Sequence, residues 1–294
     1  MWSETVVTAE RPYLFGIAYR LLGSAADADD AVQQAFLQAR DVEDVRSPRA
    51  FLTTVVTRIC LDELKSARRK RETYVGPWLP EPVLTGALGD PVEDAEGLST
   101  ALLLLLETLS PLERAVWVLR EAFDRDTEEV AAALGRTEEA IRQLLGRART
   151  KIAEGKRRRV AAPSAQASLA AAFFGAAQRG DLETLVSLLR ADVELVSDHG
   201  GKAKAILKPI VGAAHVARYF AGISQKALHM DITTAFVSLN ASLGLLVYER
   251  GVLTTAMVFE VDDEAAGETR IARVHVTRNP DKLARLARLA RTAA

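Results

Sequence analysis

The chain has 294 residues, 49% of them apolar, with 38 basic and 39 acidic side chains, which is material for two or three domains with real cores. No stretch reaches the roughly 20 apolar residues that span a bilayer; the longest leucine run, Leu102 to Leu106, is stopped by Glu107 and Pro111. The single cysteine, Cys60, excludes an internal disulfide and a cysteine-only zinc site. The first residues, MWSETVVTAER, lack the basic flank and apolar core of a signal peptide. The expectation is a cytoplasmic protein with no membrane partner, no metal and no cofactor.

Helix-period patterning runs from Glu10 to about Ile152. In DADDAVQQAFLQAR the inward positions are Ala31, Val32, Ala35, Phe36 and Ala39, leaving Asp30, Gln33, Gln34 and Arg40 outside. A loop, Asp41 to Ser47, follows. Ser47 then caps a second helix with Pro48 at its first position, and Phe51, Val55, Ile59 and Leu64 form its predicted inner face. That helix ends in Lys65, Arg68, Arg69, Lys70 and Arg71, a cluster that either serves a polyanion or simply answers the helix dipole. From Gly76 to Gly97 there are four prolines, four glycines, five acids and no base, so this is a boundary and not a regular element.

Helical patterning resumes near Leu98. In residues 126 to 152, DTEEVAAALGRTEEAIRQLLGRARTKI, Asp126 or Thr127 caps one helix, Gly135 supplies a turn and Thr137 caps a second helix. Val130, Ala131, Leu134, Ile141 and Leu144 occupy the packing positions of a helix-turn-helix; Arg136 departs from the apolar residue usual there. With Ile141 at the centre of the buried face, Leu144, Leu145, Ala148 and Ile152 lie within about 60° of it. Glu139, Arg142, Gln143, Gly146, Arg147 and Thr150 therefore face outward. Arginine pairs with guanine and glutamine with adenine in a major groove, while Arg149, Lys151 and Arg157 to Arg159 are placed for phosphates. Gly146 costs a helix interior about 1 kcal/mol against alanine, a loss that close approach of a DNA backbone would explain.

The net charge is −3 over residues 1 to 160 and +2 beyond, so positive charge is local. AAPSAQAS reads as a second linker. After Leu169 two helical patterns precede DVELVSD, and HMDITTAFVSL, LGLLVYER, VLTTAMVFEV and TRIARVHVT have the β-branched texture of strands. Helices followed by several strands indicate an α+β unit. The last segment, NPDKLARLARLAR, is an amphipathic helix capped by Asn279 with Pro280 after it.

These segments carry a resemblance. Residues 10 to 155 resemble a bacterial extracytoplasmic-function sigma factor: AYRLLGSAADADDAVQQAFLQAR and SPRAFLTTVVTRICLDELKSARRKRE resemble sigma region 2, and residues 109 to 152 resemble region 4. WLPEP at 78 to 82, DHGGK at 198 to 202 and NPDKL at 279 to 283, three short motifs in order, resemble the subgroup with a fused C-terminal SnoaL-like domain. A histidine stands at 199 where that family tends to have glycine. The resemblance implies a multidomain protein in which two all-α sigma modules, a helical bundle and a helix-turn-helix, precede an α+β SnoaL-like cone of the nuclear transport factor 2-like class. The divisions are 1–75 for region 2, 76–97 for an acidic Pro/Gly linker, 98–160 for region 4, 161–168 for a linker and 169–294 for the last domain.

The resemblance also implies roles. Asp30, Gln33 and Gln34 would face core RNA polymerase. The loop to Arg49, with Arg58, would meet unpaired bases of the minus-ten promoter element, near the basic Lys65, Arg68 and Arg69. Arg136, Thr137, Glu139, Arg142, Gln143, Arg147, Arg149 and Lys151 would meet the minus-thirty-five element. Glu81, Asp90, Glu93, Asp94 and Glu96 would suit a channel built for nucleic acid. Trp78, Leu79, Pro80, Glu81 and Pro82 would dock on the C-terminal domain. Its Asp198, His199, Gly200, Gly201 and Lys202, with Asn279, Pro280, Asp281, Lys282 and Leu283, would touch the linker or region 2. That domain would regulate the sigma modules, and its cone is a place for a small-molecule ligand. Two other readings stand beside this one: a one-component helix-turn-helix regulator that senses a ligand, and an isomerase- or cyclase-like enzyme using Asp198, His199, His215, His229 or Asp231. The expectation is that no residue is catalytic.

Overall fold

The structure is a computed structural model that describes residues 4–42, 45–85, 99–155, 159–160, 163–263 and 268–292. Asp90, Glu93, Asp94, Glu96, Arg157 and Arg158 fall outside these, as do the side chains of Arg68, Arg69, Lys70, Arg71 and Arg159. The chain forms two compact units, Met1–Thr73 with Thr85–Arg157, and Tyr74–Leu84 with Arg158–Ala294.

Among the described residues the regular elements of the first unit are all helices. α1 (Glu4–Leu22), α2 (Ala25–Ala39) and α3 (Pro48–Glu72) pack on one another. Ser24 caps α2 through Asp27 N–H, and Ser47 Oγ accepts from Ala50 N–H at the start of α3. α2 buries Ala28, Ala31, Val32, Ala35 and Ala39, and Phe36 is only partly covered. In α3 the deepest stripe is Leu52, Val56, Cys60 and Leu64, one position on from the expected Phe51, Val55 and Ile59, which are half-buried. Both stripes are apolar, and α3 is wedged against α1, α2 and two later helices, so sequence does not say which lies deeper. Cys60 is fully enclosed, and burial pushes its thiol up, away from reactivity.

The unit continues with α4 (Thr100–Glu107), α5 (Pro111–Trp117), a π-helical turn (Val118–Ala122), α6 (Thr127–Leu134) and α7 (Glu138–Gly155). Asp126 is the N-cap of α6, in a reciprocal box with Glu129. Gly135 ends it at φ +61°, left-handed backbone that glycine adopts without strain. α7 buries Ile141, Leu145, Ala148 and Ile152. Two buried arginines join the early helices to the later ones. Arg20 of α1 lies 4.9 Å from the Phe123 ring centre. Arg114 of α5 donates from Nη1 to Leu21 O at 2.7 Å and to Glu107 at 2.8 Å.

The second unit contains one sheet. Its strands are β1 (Arg159–Val160), β2 (Leu189–Asp198), β3 (Ile210–Val211), β4 (Ile232–Leu239), β5 (Ser242–Glu249), β6 (Val252–Asp263) and β7 (Thr269–Thr277). Their order is β3-β2-β7-β6-β5-β4, antiparallel except for β2 with β7. β1 pairs with Asp262 and Asp263 of β6, beyond the last residue that β5 reaches. α8 (Pro163–Arg179), α9 (Leu182–Leu188) and α10 (Ala213–Ala227) cover one face, where Phe173, Phe220, Val274 and Phe259 fill the core. α11 (Pro280–Thr292) lays Leu283 and Leu286 on the other. α8 begins inside the segment 161–168 expected as linker, because Pro163 suits a helix start and SAQAS contains no breaker.

Residues Tyr74–Leu84 belong to this second unit although they follow α3 in sequence. Leu84 bridges to Leu239, Asn240 N–H donates to Val83 O at 2.9 Å, and Val83 N–H donates to the Asn240 side chain at 3.2 Å. The connector is thus added to the outer end of β4.

Candidate functional site

Two constellations gather most of the residues singled out by sequence, one in each unit. In the second unit the centre is Asp198, at the end of β2 and wholly buried. Its carboxylate accepts from the Tyr74 hydroxyl, from Leu79 N–H at 2.9 Å and from Lys282 Nζ at 2.7 Å. Lys282 also donates to Leu79 O and lies 4.2 Å from the Trp78 ring centre and 5.2 Å from that of Tyr74. Burial, then the neighbouring Asp198 carboxylate, holds the Tyr74 phenol well above its usual range. Asn279 Nδ2 donates to the Tyr74 hydroxyl at 2.8 Å, while its Oδ1 accepts from Asp281 N–H at the start of α11.

The DHGGK turn is shaped to admit the connector. A Cβ at Gly200 would sit 2.4 Å from Asn279 and 3.0 Å from the Tyr74 hydroxyl, and Gly201 faces Val75. His199 does not need left-handed backbone; its Nδ1 accepts from Gly201 N–H at 3.0 Å. Lys202 pairs with Asp281, Pro280 opens α11 at the surface, and Leu283 is buried. Pro80, Glu81 and Pro82 are all buried, so Glu81 is not presented to a nucleic-acid channel here, contrary to expectation. The residues of the enzyme reading have different surroundings: the Asp198 carboxylate accepts from three donors, His215 bonds Val211 O, and His229 and Asp231 are exposed. Among the described residues no group of three or more His, Cys, Asp or Glu is placed to hold a metal, and no helix is long and apolar enough to cross a membrane.

In the first unit the outward face of α7 carries Glu139, Arg142, Gln143, Arg147 and Thr150, all exposed. Thr137 Oγ1 caps the helix through Ala140 N–H at 3.2 Å. Every cation of this face has an acid beside it. Arg142 pairs with Glu138, and Gln143 donates to Glu139 at 3.5 Å. Arg149 gives Nε and Nη2 to Glu121, at 3.2 and 2.7 Å. Arg147 Nε and Lys151 Nζ both reach Glu113 of α5, at 3.3 and 2.9 Å. Gly146 has open space where a Cβ would stand, so nothing inside the protein requires glycine there.

Glu113 was not legible as a site residue. The sequence SPLE at 110 to 113 announces a capping box, and that box forms with Ser110, but the two bonds from α7 depend on tertiary packing. Burial would raise this carboxyl; Lys151 and then Ser110 outweigh it and hold it at about 2. A folded pKa below the unfolded value of 4.5 adds stability that is complete above pH 4.5 and lost as pH falls toward 2. The shift corresponds to about 3 kcal/mol. The urea midpoint of the first unit is therefore expected to fall steeply over that acid window in the native chain and much less in Glu113→Gln.

The remaining predicted positions are spread over the bundle. Asp30, Gln33 and Gln34 are exposed on α2. Arg49 forms a two-point bond with Glu10, at 2.7 and 3.3 Å, and lies 4.7 Å from the Tyr13 ring centre. Lys65 pairs with Asp62 at the surface. Arg58, expected at unpaired bases, instead donates Nε to Ala133 O of α6 at 3.1 Å, because the helices flanking it pack into one unit. Arg58, Lys65 and Arg136 line a cleft of about 490 Å³ with Leu61, Leu112 and Leu134.

Residues 6–70 match the family model of Sigma-70 region 2, and residues 99–152 that of Sigma-70, region 4. The ECF RNA polymerase sigma factor SigJ of Mycobacterium tuberculosis is 42% identical over 224 residues, covering 74% of this chain and 72% of that protein. The probable ECF RNA polymerase sigma factor SigI of the same species is 36% identical over 187 residues, 62% of this chain and 64% of that one. The crystal structure of SigJ superposes with a TM-score of 0.73 at 34% identity, over 94% of this chain and 96% of that one. The chain belongs to the extracytoplasmic-function RNA polymerase sigma factors, with two helical sigma modules followed by an α+β SnoaL-like domain.

Proposed function

We propose that this sigma factor reads duplex promoter DNA at the minus-thirty-five element through the outward stripe of α7, with Arg142, Gln143 and Arg147 on base edges and Lys151 and Arg149 on phosphates. The observation that carries this is the two-faced helix: Ile141, Leu145, Ala148 and Ile152 are buried, while the polar stripe is open to solvent. The exposed face of α2, with Asp30, Gln33 and Gln34, is the surface offered to core RNA polymerase in the cytoplasm. Arg49, Lys65, Arg68 and Arg69 serve the minus-ten side. The SnoaL-like domain acts as a regulator, not a catalyst, by gripping the connector Tyr74–Leu84 through Asp198 and Lys282. Phe173, Phe220 and Phe259 occupy its interior, which favours regulation by packing over regulation by a small molecule.

The test is initiation by core polymerase on a promoter library, read by sequencing of the transcripts. The full chain is expected to direct starts at a defined set of promoters, and the double reversal Arg142→Glu with Arg147→Glu to reduce them at least tenfold, as loss of one good base pair contact alone removes about 1–3 kcal/mol. Promoter use that is unchanged in the double reversal overturns the reading of α7.

A further inference from the structure

We propose that Glu113 is a positioning residue for promoter reading: from α5 it fixes Arg147 and Lys151 on the duplex-facing stripe of α7. The inference rests on the function proposed above and adds to it a residue that touches no DNA.

Three features carry it. First, Arg147 and Lys151 are four residues apart, so they stand one above the other on the same stripe as Gln143, and both converge on one carboxylate. Second, that carboxylate is itself immobilised. Glu113 is 6% exposed, and its Oε2 also accepts from Ser110 N–H at 2.9 Å. The other acids on this face are less fixed: Glu121 is 31% exposed, and Glu138, on α7 itself, is 46% exposed. Third, the bond to Arg147 is made through Nε, the root of the guanidinium. The pair of Nη groups that makes a two-point contact with guanine is not used by Glu113. By contrast Arg149 already spends an Nη on Glu121.

A rigid acid behind two long cations changes binding in a definite direction. It removes rotamer freedom before DNA arrives, which favours the matched duplex. It also cancels charge that any phosphate backbone would attract, which weakens binding to unmatched duplex. Glu113 therefore raises discrimination at the expense of general affinity.

The experiment uses the full chain on core polymerase, with duplexes that this complex selects from a random library and scrambled duplexes of the same composition. Glu113→Gln is the informative variant, because glutamine still serves a capping box while the charge is gone. It is expected to lower the selected-to-scrambled affinity ratio about tenfold and to steepen the dependence of log K on log salt by about 1. Ser110→Ala, which weakens the cap and keeps the charge, is expected to lower the melting temperature and leave the ratio intact. In an Arg147→Ala background Glu113→Gln is expected to lower the ratio by a clearly smaller factor, because only Lys151 is then released. A Glu113→Gln protein with the native ratio and salt slope overturns the inference, as does a fall of equal size with and without Arg147. If the native complex shows no preference for any duplex, the promoter reading fails and this inference with it; the reading survives when only Glu113→Gln is silent.

Discussion

Asp198→Ala is expected to cost the second unit about 3–5 kcal/mol, the range seen when one partner of a buried ion pair is removed. Three donors lose their acceptor together: the Tyr74 hydroxyl, Leu79 N–H and the Lys282 ammonium, which is left buried. The connector should respond more than the sheet does. Hydrogen exchange at Leu79 N–H is expected to accelerate to the rate of local opening, while amides of β5 and β6 stay protected until the whole unit unfolds. Lys282→Met alone should be costly for the mirror-image reason. The double variant should cost less than the two singles summed, by about 1–3 kcal/mol, since their effects are coupled. If Asp198→Ala shifts the urea midpoint little and leaves Leu79 protected, then the Val83 and Asn240 contacts hold the connector and the buried carboxylate does not.

Arg114→Ala is the corresponding break in the first unit. The Arg114 side chain is 4% exposed, and burial alone lowers its pKa, to about 10, so it is still charged at neutral pH. Truncation leaves Leu21 O at the end of α1 without its donor and opens a space where a long side chain lay; about 3–4 kcal/mol is expected from the two effects. Arg114→Met should recover more than half, because it refills the space and Glu107, which is partly open to water, rehydrates its carboxylate. Urea unfolding followed by exchange of peptides from α1 and α5 would measure both. Equal losses in the two variants would show that charge, not volume, joins these helices.

The parts of this protein that were readable in advance obey local rules. Gly135 between two capped amphipathic segments specifies a helix-turn-helix by itself, and Asn279 with Pro280 specifies the start of α11. The three motifs WLPEP, DHGGK and NPDKL lie far apart in sequence, yet Leu79, Asp198 and Lys282 meet at hydrogen-bonding distance; the resemblance connects them, and no spacing rule does. What escaped was tertiary. Arg20 and Arg114 look like surface charges in a helical pattern and are buried. The inner stripe of α3 lies one residue on from the expected one because four neighbours press on it. Glu113 announced a cap and also holds two side chains from α7. Arg58, which the resemblance places at DNA, gives its Nε to a carbonyl of α6.

The capture of Tyr74–Leu84 by the second unit alters the leash between the sigma modules. From Tyr74 to Ser99 there are 26 residues, able to stretch to about 90 Å; with the first eleven clamped, the remaining 15 reach only about 50 Å. The entropic change is slight, near 0.5 kcal/mol for such a difference in loop length. The second unit can thus set how far the chain pays out between α3 and α4, by mechanical shortening and with almost no thermodynamic pull.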